Sequence, residues 1–301
     1  MHTAILNEAL SGNTKALARC ISLIENEAEG YEKLLEILPV TTVPVTGITG
    51  PPGAGKSTLT DQLIHLLIED NKRVAVLCID PSSAFHKGAI LGDRIRMSRW
   101  YNNKNVFIRS LAGKGSLGGL SPKVIEITDL LKAAAFDHVI IETIGVGQNE
   151  IEIAGLADTT VVVLVPEGGD EIQTMKAGLM EIADIFVVNK CDRSGADTFV
   201  KYLRNMLAPA FSSKQQEVPV LKTAASKNEG IAALYEAIKL NSSFQSSLQN
   251  KVRLYAQKAY LLITKNRMKD IDINDLQKDI TVKMREEKFN LYSYLKNFKQ
   301  G

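Results

Sequence analysis

Residues 50–58 read Gly50-Pro51-Pro52-Gly53-Ala54-Gly55-Lys56-Ser57-Thr58, which fills every fixed position of the phosphate-binding pattern G-x-x-x-x-G-K-[ST]. An apolar, β-branched run, 43–49, precedes this loop, and leucines at helical spacing follow it. The loop therefore lies where a strand leads into a helix, and there the backbone N–H groups and the positive end of the helix favour a phosphate. We expect Lys56 to reach the β- and γ-phosphates of a nucleotide and the Ser57 hydroxyl to hold Mg²⁺.

Composition is that of an ordinary globular protein. The chain has 301 residues, 45% of them hydrophobic, and a net charge of +2, which favours neither a nucleic-acid nor an acidic partner. Three widely spaced cysteines argue against a set of disulfides and fit a reducing compartment. No apolar run reaches the ~18 residues of a membrane span, and the first residues lack the pattern of a secretion signal. We expect a cytoplasmic protein that binds no membrane and no nucleic acid.

Strand-like and helix-like segments alternate between residues 43 and 240. This alternation predicts a doubly wound α/β domain with a mainly parallel, seven-stranded sheet. Residues 1–42 are predicted to form an N-terminal helical extension, with Asn13 as a helix cap. The predicted strands are 43–49, 73–79, 106–109, 138–142, 160–165, 184–188 and 218–222.

Residues 241–301 differ in amino-acid composition from the rest of the chain. They carry 12 Lys and Arg against 6 Asp and Glu, and they are predicted to be helical. A basic face for an acidic partner or a membrane is one interpretation. The spacing of Val252, Tyr255, Ala259 and Leu262 favours another, an apolar stripe that packs on a second subunit.

A second motif, Asn189-Lys190-Cys191-Asp192, follows the predicted strand 184–188 and matches the guanine signature N-K-x-D. The Asp192 carboxylate can accept hydrogen bonds from both N1–H and the 2-amino group of guanine, a donor pair that adenine lacks. We expect Asn189 to brace the loops and the stem of Lys190 to cover the base. A weaker signal, Thr223-Ala224-Ala225, predicts a loop whose backbone contacts the guanine oxygen.

Carboxylates suited to Mg²⁺ come at the ends of predicted strands. Asp80 follows the strand 73–79, and Glu142 ends the strand 138–142, so both are expected at the carboxyl edge of the sheet. Asp93 follows a glycine-bearing stretch and is a third candidate. The alternatives are a turn cap for Asp80 and an exposed or Arg94-paired carboxylate for Asp93.

In these motifs the chain resembles the MeaB/ArgK family of P-loop GTPases, which are chaperones of adenosylcobalamin-dependent acyl-CoA mutases. The resemblance covers roughly residues 46–230. Besides 189–192, it rests on 50–58, on 80–83 with 92–97, on 109–111 with 115–121, on 142–148, and on 169–173 with Lys176. It implies GTP/GDP and Mg²⁺ as cofactors, a mutase partner of the methylmalonyl-CoA mutase type, and a homodimer formed through a C-terminal helical dimerisation arm, 241–301.

Residue roles follow from the same resemblance. Ser57, Asp80, Asp93 and Glu142 look like the set that binds Mg²⁺ and senses the γ-phosphate. The segment 167–178, with Asp170 and Lys176, looks like the extra switch through which the mutase accelerates hydrolysis. Lys56, Asp80, Glu142, Lys176 and Asp170 are therefore the predicted catalytic residues, in a GTPase that is slow alone. One departure is 84–88, Ala-Phe-His-Lys-Gly, where the family usually has Pro-Phe-Thr-Gly-Gly.

Two other functions remain open at this point. One is a GTPase of the nickel-metallochaperone type, although the four histidines form no cluster in the sequence. The other is an ATP-dependent kinase linked to transport, which the guanine signature 189–192 disfavours.

Overall fold

Seven parallel strands form one sheet in the computed structural model, which describes residues 2–80, 97–112, 123–143, 149–167, 182–211, 218–241, 248–268, 271–286 and 290–295. The strands are β1 (Val45–Thr49), β2 (Val74–Asp80), β3 (Val106–Ala112), β4 (His138–Thr143), β5 (Thr159–Leu164), β6 (Ile185–Val188) and β7 (Val220–Lys222). Their order across the sheet is β3-β2-β4-β1-β5-β6-β7, so β2 to β4 lie on one side of β1 and β5 to β7 on the other. The predicted fold class is confirmed.

Helices cover both faces of this sheet, which explains why the central strands are continuous apolar runs. Successive side chains of a strand point to opposite faces. Val161 and Val163 therefore join the core under the helices Lys56–Glu69 and Ile231–Asn241, whereas Val162 and Leu164 join the core under the helix Ala196–Phe211. The helices are α1 (His2–Leu10), α2 (Thr14–Glu25), α3 (Tyr31–Glu36), α4 (Lys56–Glu69), α5 (Val124–Ala133), α6 (Asn149–Leu156), α7 (Ala196–Phe211), α8 (Ile231–Asn241), α9 (Leu248–Arg267), α10 (Ile273–Glu286) and α11 (Leu291–Leu295).

The N-terminal helices α1 to α3 fold as the sequence predicts. The Asn13 side chain accepts hydrogen bonds from the backbone N–H groups of Lys15 and Ala16, at 3.0 and 3.1 Å, and so caps α2. Ion pairs and a hydrogen bond join this helical layer to the sheet domain. Arg109 of β3 pairs with Glu25, and the buried Lys123 ammonium pairs with Glu27 and donates to the Tyr31 hydroxyl, both at 3.1 Å.

A buried polar cluster lies at the amino edge of the sheet, opposite the edge where the phosphate loop leaves β1. His138 Nε2 lies 2.8 Å from the Thr46 hydroxyl, and Asp158 accepts a hydrogen bond from the backbone N–H of Val45 at 2.8 Å. Lys251 pairs with the same aspartate. Burial disfavours the charged imidazolium and lowers the pKa of His138 to about 4, although the Asp158 charge opposes this shift.

The chain divides into two compact units, residues 1–252 and 253–301. The second unit contains most of α9, with α10 and α11, and large apolar side chains are exposed along it, among them Tyr260, Leu261, Ile263, Met284 and Tyr292. The division at residues 42/43 and 240/241, and the dimerisation arm, stay predictions. None of the helices in the described part of the chain is long and apolar enough to cross a membrane.

Candidate functional site

The phosphate loop connects the carboxyl end of β1 to the first turn of α4. Gly50 has φ +137°, and a Cβ at this position would lie 2.1 Å from the Val163 carbonyl oxygen. Only glycine therefore fits where the loop passes over β5. Gly55 has φ +88°, and a Cβ at this position would lie 2.4 Å from Nδ2 of the Asn189 side chain. A close approach of backbone at Gly50 and of a side chain at Gly55 thus favours glycine at both ends of the loop.

Lys56 is held inside this loop. Its side chain is buried, and Nζ donates to the carbonyl oxygens of Gly50 and Pro51 at 2.8 and 2.9 Å. The ammonium therefore lies within the curve of the backbone whose N–H groups are predicted to surround a phosphate. The structure therefore places the Lys56 ammonium inside the loop, and its contact with a nucleotide stays a prediction.

Two hydroxyls of α4 share one carboxylate of β4. Ser57 Oγ donates to Glu142 Oε1 at 2.6 Å, and Thr60 Oγ1 donates to Glu142 Oε2 at 2.8 Å. Glu142 is only 2% exposed, so these contacts form part of the core beneath the phosphate loop. A hydroxyl that donates to a carboxylate keeps its oxygen lone pairs for another ligand. Ser57 is therefore oriented with an acceptor oxygen free for a cation.

The other predicted acidic and switch residues are described only in part. Asp80 ends β2, where its backbone pairs in register with Ala112 of β3, which places it at the carboxyl edge of the sheet. Asp93, Asp170 and Lys176 lie outside the described residues, as does 84–88. Within the described residues, no group of three or more His, Cys, Asp or Glu side chains is placed to hold a metal ion.

Asn189 joins three segments of the site. Its amide Nδ2 donates to the Ala54 carbonyl at 2.8 Å, and its Oδ1 accepts from the Thr223 hydroxyl at 3.0 Å and from the Ala225 N–H at 3.1 Å. The side chain is buried, so its donor and acceptor are satisfied by protein groups. The phosphate loop, the loop after β6 and the loop after β7 are thereby held together by one amide.

The remaining residues of the predicted base site lie on the two loops that Asn189 joins. Lys190 adopts the left-handed conformation with φ 57°, and the Cys191 N–H donates to the Thr223 carbonyl at 2.9 Å. Ala224 and Ala225 are buried, whereas Asp192 reaches the surface. Its Oδ2 lies 3.0 Å from Lys227 Nζ, and the hydrogen bond from Lys227 lowers the pKa of the Asp192 carboxyl.

Sequence reasoning missed two residues of this arrangement. Thr60 follows Ser57 by three residues, so both hydroxyls fall on one face of α4, and this helical spacing is a signal that predicts a shared partner. Lys227 has no such signal. Its contact with Asp192 exists only because two loops separated by a helix and a strand meet at the sheet edge.

Comparison with known proteins places the chain among GTPases. Residues 17–277 match the profile of the family described as methylmalonyl Co-A mutase-associated GTPase MeaB. A relative from Pyrococcus abyssi is 46% identical over 246 residues, which cover 80% of this chain and 76% of that protein. The Escherichia coli GTPase ArgK is 37% identical, over 75% of this chain and 72% of its own length.

Two further matches bear on the architecture. The fused isobutyryl-CoA mutase of Cupriavidus metallidurans is 37% identical over 246 residues, which are 77% of this chain but 22% of that protein. The crystal structure of LAO/AO transport system kinase shares the fold, with a TM-score of 0.68 at 24% identity over 100% of this chain and 98% of that one. The family match extends over most of the chain and includes every described residue of the phosphate loop and the base loops, so this protein belongs to the MeaB family of P-loop GTPases.

Proposed function

We propose that this GTPase binds GTP with Mg²⁺ and uses its hydrolysis to assemble or protect an adenosylcobalamin-dependent acyl-CoA mutase in the cytoplasm. The observation that carries the proposal is the match of 246 residues to one part of a fused isobutyryl-CoA mutase. The family description, which names an association with methylmalonyl-CoA mutase, supports the same class of partner. The cysteines Cys20, Cys78 and Cys191 are not joined in disulfides, which is consistent with a reducing compartment.

The donor set fits a magnesium ion. Mg²⁺ prefers hard oxygen ligands and keeps several waters. Ser57 offers such an oxygen, and Glu142 holds that hydroxyl in one orientation from a distance of 2.6 Å. We propose Ser57 as the direct ligand, with Glu142 acting on the ion through Ser57 or water, and Asp80 and Asp93 as the remaining acidic groups. Bound there, Mg²⁺ would neutralise charge that develops on the β- and γ-oxygens.

The chain's own groups supply the rest of the electrostatic stabilisation. The Lys56 ammonium and the N-terminus of α4 are positive where the phosphates are expected, and the lysine exchanges its contacts with Gly50 and Pro51 for phosphate oxygens. Such stabilisation is effective because the lysine is already oriented and largely shielded from water. We propose that Asp80 or Glu142 orients the attacking water, directly or through the ion.

The base loops give the proposed preference for guanine. Asn189 fixes their spacing to the phosphate loop through contacts of 2.8 to 3.1 Å. Asp192 is the proposed acceptor for the two guanine donors, and 223–225 is the loop proposed to contact the guanine oxygen. In this structure the three N–H groups of that loop donate to protein oxygens.

We propose that hydrolysis is slow in the isolated protein and is accelerated when the mutase orders 167–178, which carries Asp170 and Lys176. The steady-state GTPase rate is measured with and without the cofactor-loaded mutase from the same source. We expect a rise of about tenfold or more, equivalent to about 1.4 kcal/mol, and we expect Lys176→Ala to abolish the rise while GDP affinity is retained. An unchanged rate with active mutase would contradict the partner assignment and leave the GTPase activity standing.

A homodimer through 241–301 is the proposed assembly. Its support is the exposed apolar surface of the unit 253–301, since contiguous exposed apolar patches typically mark interfaces. The molar mass measured by light scattering during gel filtration tests whether the protein is a dimer. Paired substitutions Tyr255→Glu and Leu262→Glu, on the stripe predicted to pack on a second subunit, are expected to give a monomer. A monomeric wild-type protein would contradict the proposal. A comparison of the affinities for GTP and ATP tests the alternative of an ATP-dependent kinase. A nickel titration tests the alternative of a metallochaperone.

A further inference from the structure

The carboxylate proposed to recognise guanine already has a protein partner. Lys227 is the last residue of a short 3-10 turn, Ala225–Lys227, and its Nζ lies 3.0 Å from Asp192 Oδ2. The two residues belong to different loops, the one after β6 and the one after β7. Backbone hydrogen bonds hold these loops together, from the Cys191 N–H to the Thr223 carbonyl and from the Thr223 N–H to the Val188 carbonyl, both at 2.9 Å.

The first three residues of the loop after β7 offer Asp192 no such side-chain donor. The Thr223 hydroxyl donates to Asn189, and Ala224 and Ala225 carry no polar side-chain atom. An aspartate side chain at the surface rotates unless a donor holds it. Lys227 is the described residue that fixes this carboxylate, and the contact raises the pKa of the lysine, so both partners are charged at neutral pH.

The contact is compatible with simultaneous binding of guanine. A carboxylate has two oxygens and about four lone-pair sites. Guanine would use one site on each oxygen for N1–H and the 2-amino group, which leaves a further site on Oδ2 for the ammonium of Lys227. The ammonium therefore orients the carboxylate from the side without occupying both of its oxygens.

We propose that Lys227 is a positioning residue for guanine recognition, because it holds the Asp192 carboxylate in the orientation that accepts both guanine donors. The inference rests on the proposed guanine site and adds the residue that pre-organises it. If Lys227 positions Asp192, its removal weakens GDP binding. If Lys227 instead blocked the site, its removal would strengthen GDP binding.

The expected effect is modest because the pair is exposed to solvent. The Lys227 side chain is 53% exposed and the Asp192 side chain 27% exposed, and exposed pairs are weak and screened by salt. We expect Lys227→Ala to raise the dissociation constant of GDP about two- to fivefold at low ionic strength and less at high salt. The KM for GTP is expected to rise with it while kcat at saturating GTP is unchanged, because the base does not move in the reaction.

Full-length protein and a fluorescent GDP analogue are used to measure these affinities. Lys227→Arg, which keeps the charge, is expected to restore most of the affinity. Lys222→Ala is the matched control. Lys222 pairs with Asp197 at 2.8 Å, is 50% exposed and lies on the strand leading to the same loop, but it does not contact Asp192. Its removal is expected to leave GDP affinity unchanged, which excludes a general loss of positive charge.

A double-mutant cycle identifies Asp192 as the residue through which Lys227 acts. In an Asp192→Asn background, Lys227→Ala is expected to have no further effect on GDP affinity. Equal or tighter GDP binding by Lys227→Ala alone would overturn the inference, and so would an undiminished effect in the Asp192→Asn background. If Asp192→Asn weakens GDP binding while Lys227→Ala does not, this inference fails and the guanine site stands. If the wild-type protein fails to bind GDP, both fail.

Discussion

The two halves of the nucleotide site are built in different ways. The phosphate half comprises residues 50–60 with Glu142, and four of its polar side chains are buried and hydrogen-bonded to protein, Lys56, Ser57, Thr60 and Glu142. The base half comprises 189–192 with 223–225, and it combines one buried amide, Asn189, with a carboxylate at the surface. Buried polar groups couple function to folding, because a lost partner leaves an unsatisfied group in the core.

This difference means that substitutions in the two halves should be read out by different measurements. In the phosphate half, one change alters catalysis and the free energy of unfolding together. In the base half, a change at Asp192 alters affinity and base preference without a large cost in folding, because exposed side chains contribute little to stability. The amide of Asn189 belongs to both, since it contacts Ala54 of one half and Thr223 of the other.

The largest effect is expected for Lys56→Ala. Loss of an oriented positive charge from the phosphates should lower the rate of single-turnover hydrolysis at saturating GTP about 100- to 1,000-fold. Rapid-quench measurement of phosphate release gives this rate. The exposed Lys222→Ala serves as control, and a loss of less than about tenfold would show that Lys56 does not stabilise the transition state.

Gly50→Ala should be the most destabilising change in the loop. The new Cβ would meet the Val163 carbonyl oxygen at 2.1 Å with φ at +137°, so the backbone must move. We expect the free energy of unfolding to fall by about 3 kcal/mol, measured by urea denaturation. Gly53→Ala is the control, because its φ of +75° is also unfavourable but nothing lies within 4 Å of the new Cβ. There we expect a loss of about 1 kcal/mol, and equal losses would contradict the role of the close approach.

Asp192→Asn separates base recognition from folding. The amide cannot accept both guanine donors, so the dissociation constant of GDP should rise about 100-fold, equivalent to about 2.7 kcal/mol. Xanthosine diphosphate, which has an acceptor in place of the 2-amino group, should bind the variant more tightly than GDP. Calorimetric titration of both nucleotides measures this preference, and the free energy of unfolding should change by less than about 0.5 kcal/mol.

Thr60→Val tests the residue that sequence reasoning missed. Valine has the same shape but removes the hydroxyl 2.8 Å from Glu142 Oε2, which leaves one carboxylate oxygen with a lost donor. We expect the free energy of unfolding to fall by about 2 kcal/mol. Thr58→Val is the stability control, because Thr58 is exposed on the same turn of α4. Equal stability of the two variants would show that the Glu142 cluster is not a folding constraint.

The smallest effect concerns His138, which is buried like the phosphate half but is placed at the opposite edge of the sheet. Its pKa is about 4 in the folded protein against 6.5 ordinarily, so the unfolded chain binds a proton first as the pH falls. Stability is therefore lost below pH 6.5, by about 1.4 kcal/mol between pH 7.5 and 5.5. The free energy of unfolding of the wild type and of His138→Gln is measured by denaturation at several pH values in this range. The variant should lack this part of the pH dependence. Its affinity for GDP at each pH should match that of the wild type.

Much of the fold follows from local patterns in the sequence. The seven strands lie within three residues of the predicted ones, because most are apolar runs bounded by loops, and the central ones are buried on both faces. Strand β3 extends to Ala112, beyond the predicted end at 109, because its backbone continues to pair with β2 as far as Asp80. The Asn13 cap could also be predicted from the sequence, because helix capping involves only residues that are neighbours in the chain.

The sequence by itself determined the phosphate loop, the base motif and the order of strands and helices, because each depends on residues close together in the chain. Only the tertiary structure decided which side chains share a partner. Ser57 and Thr60 meet on Glu142, 85 and 82 residues away, and Asn189 bridges 135 residues to Ala54. Lys227 reaches Asp192 only where two loops meet at the carboxyl edge. Such contacts depend on the packing of parallel strands that are distant in sequence, and no local pattern encodes them.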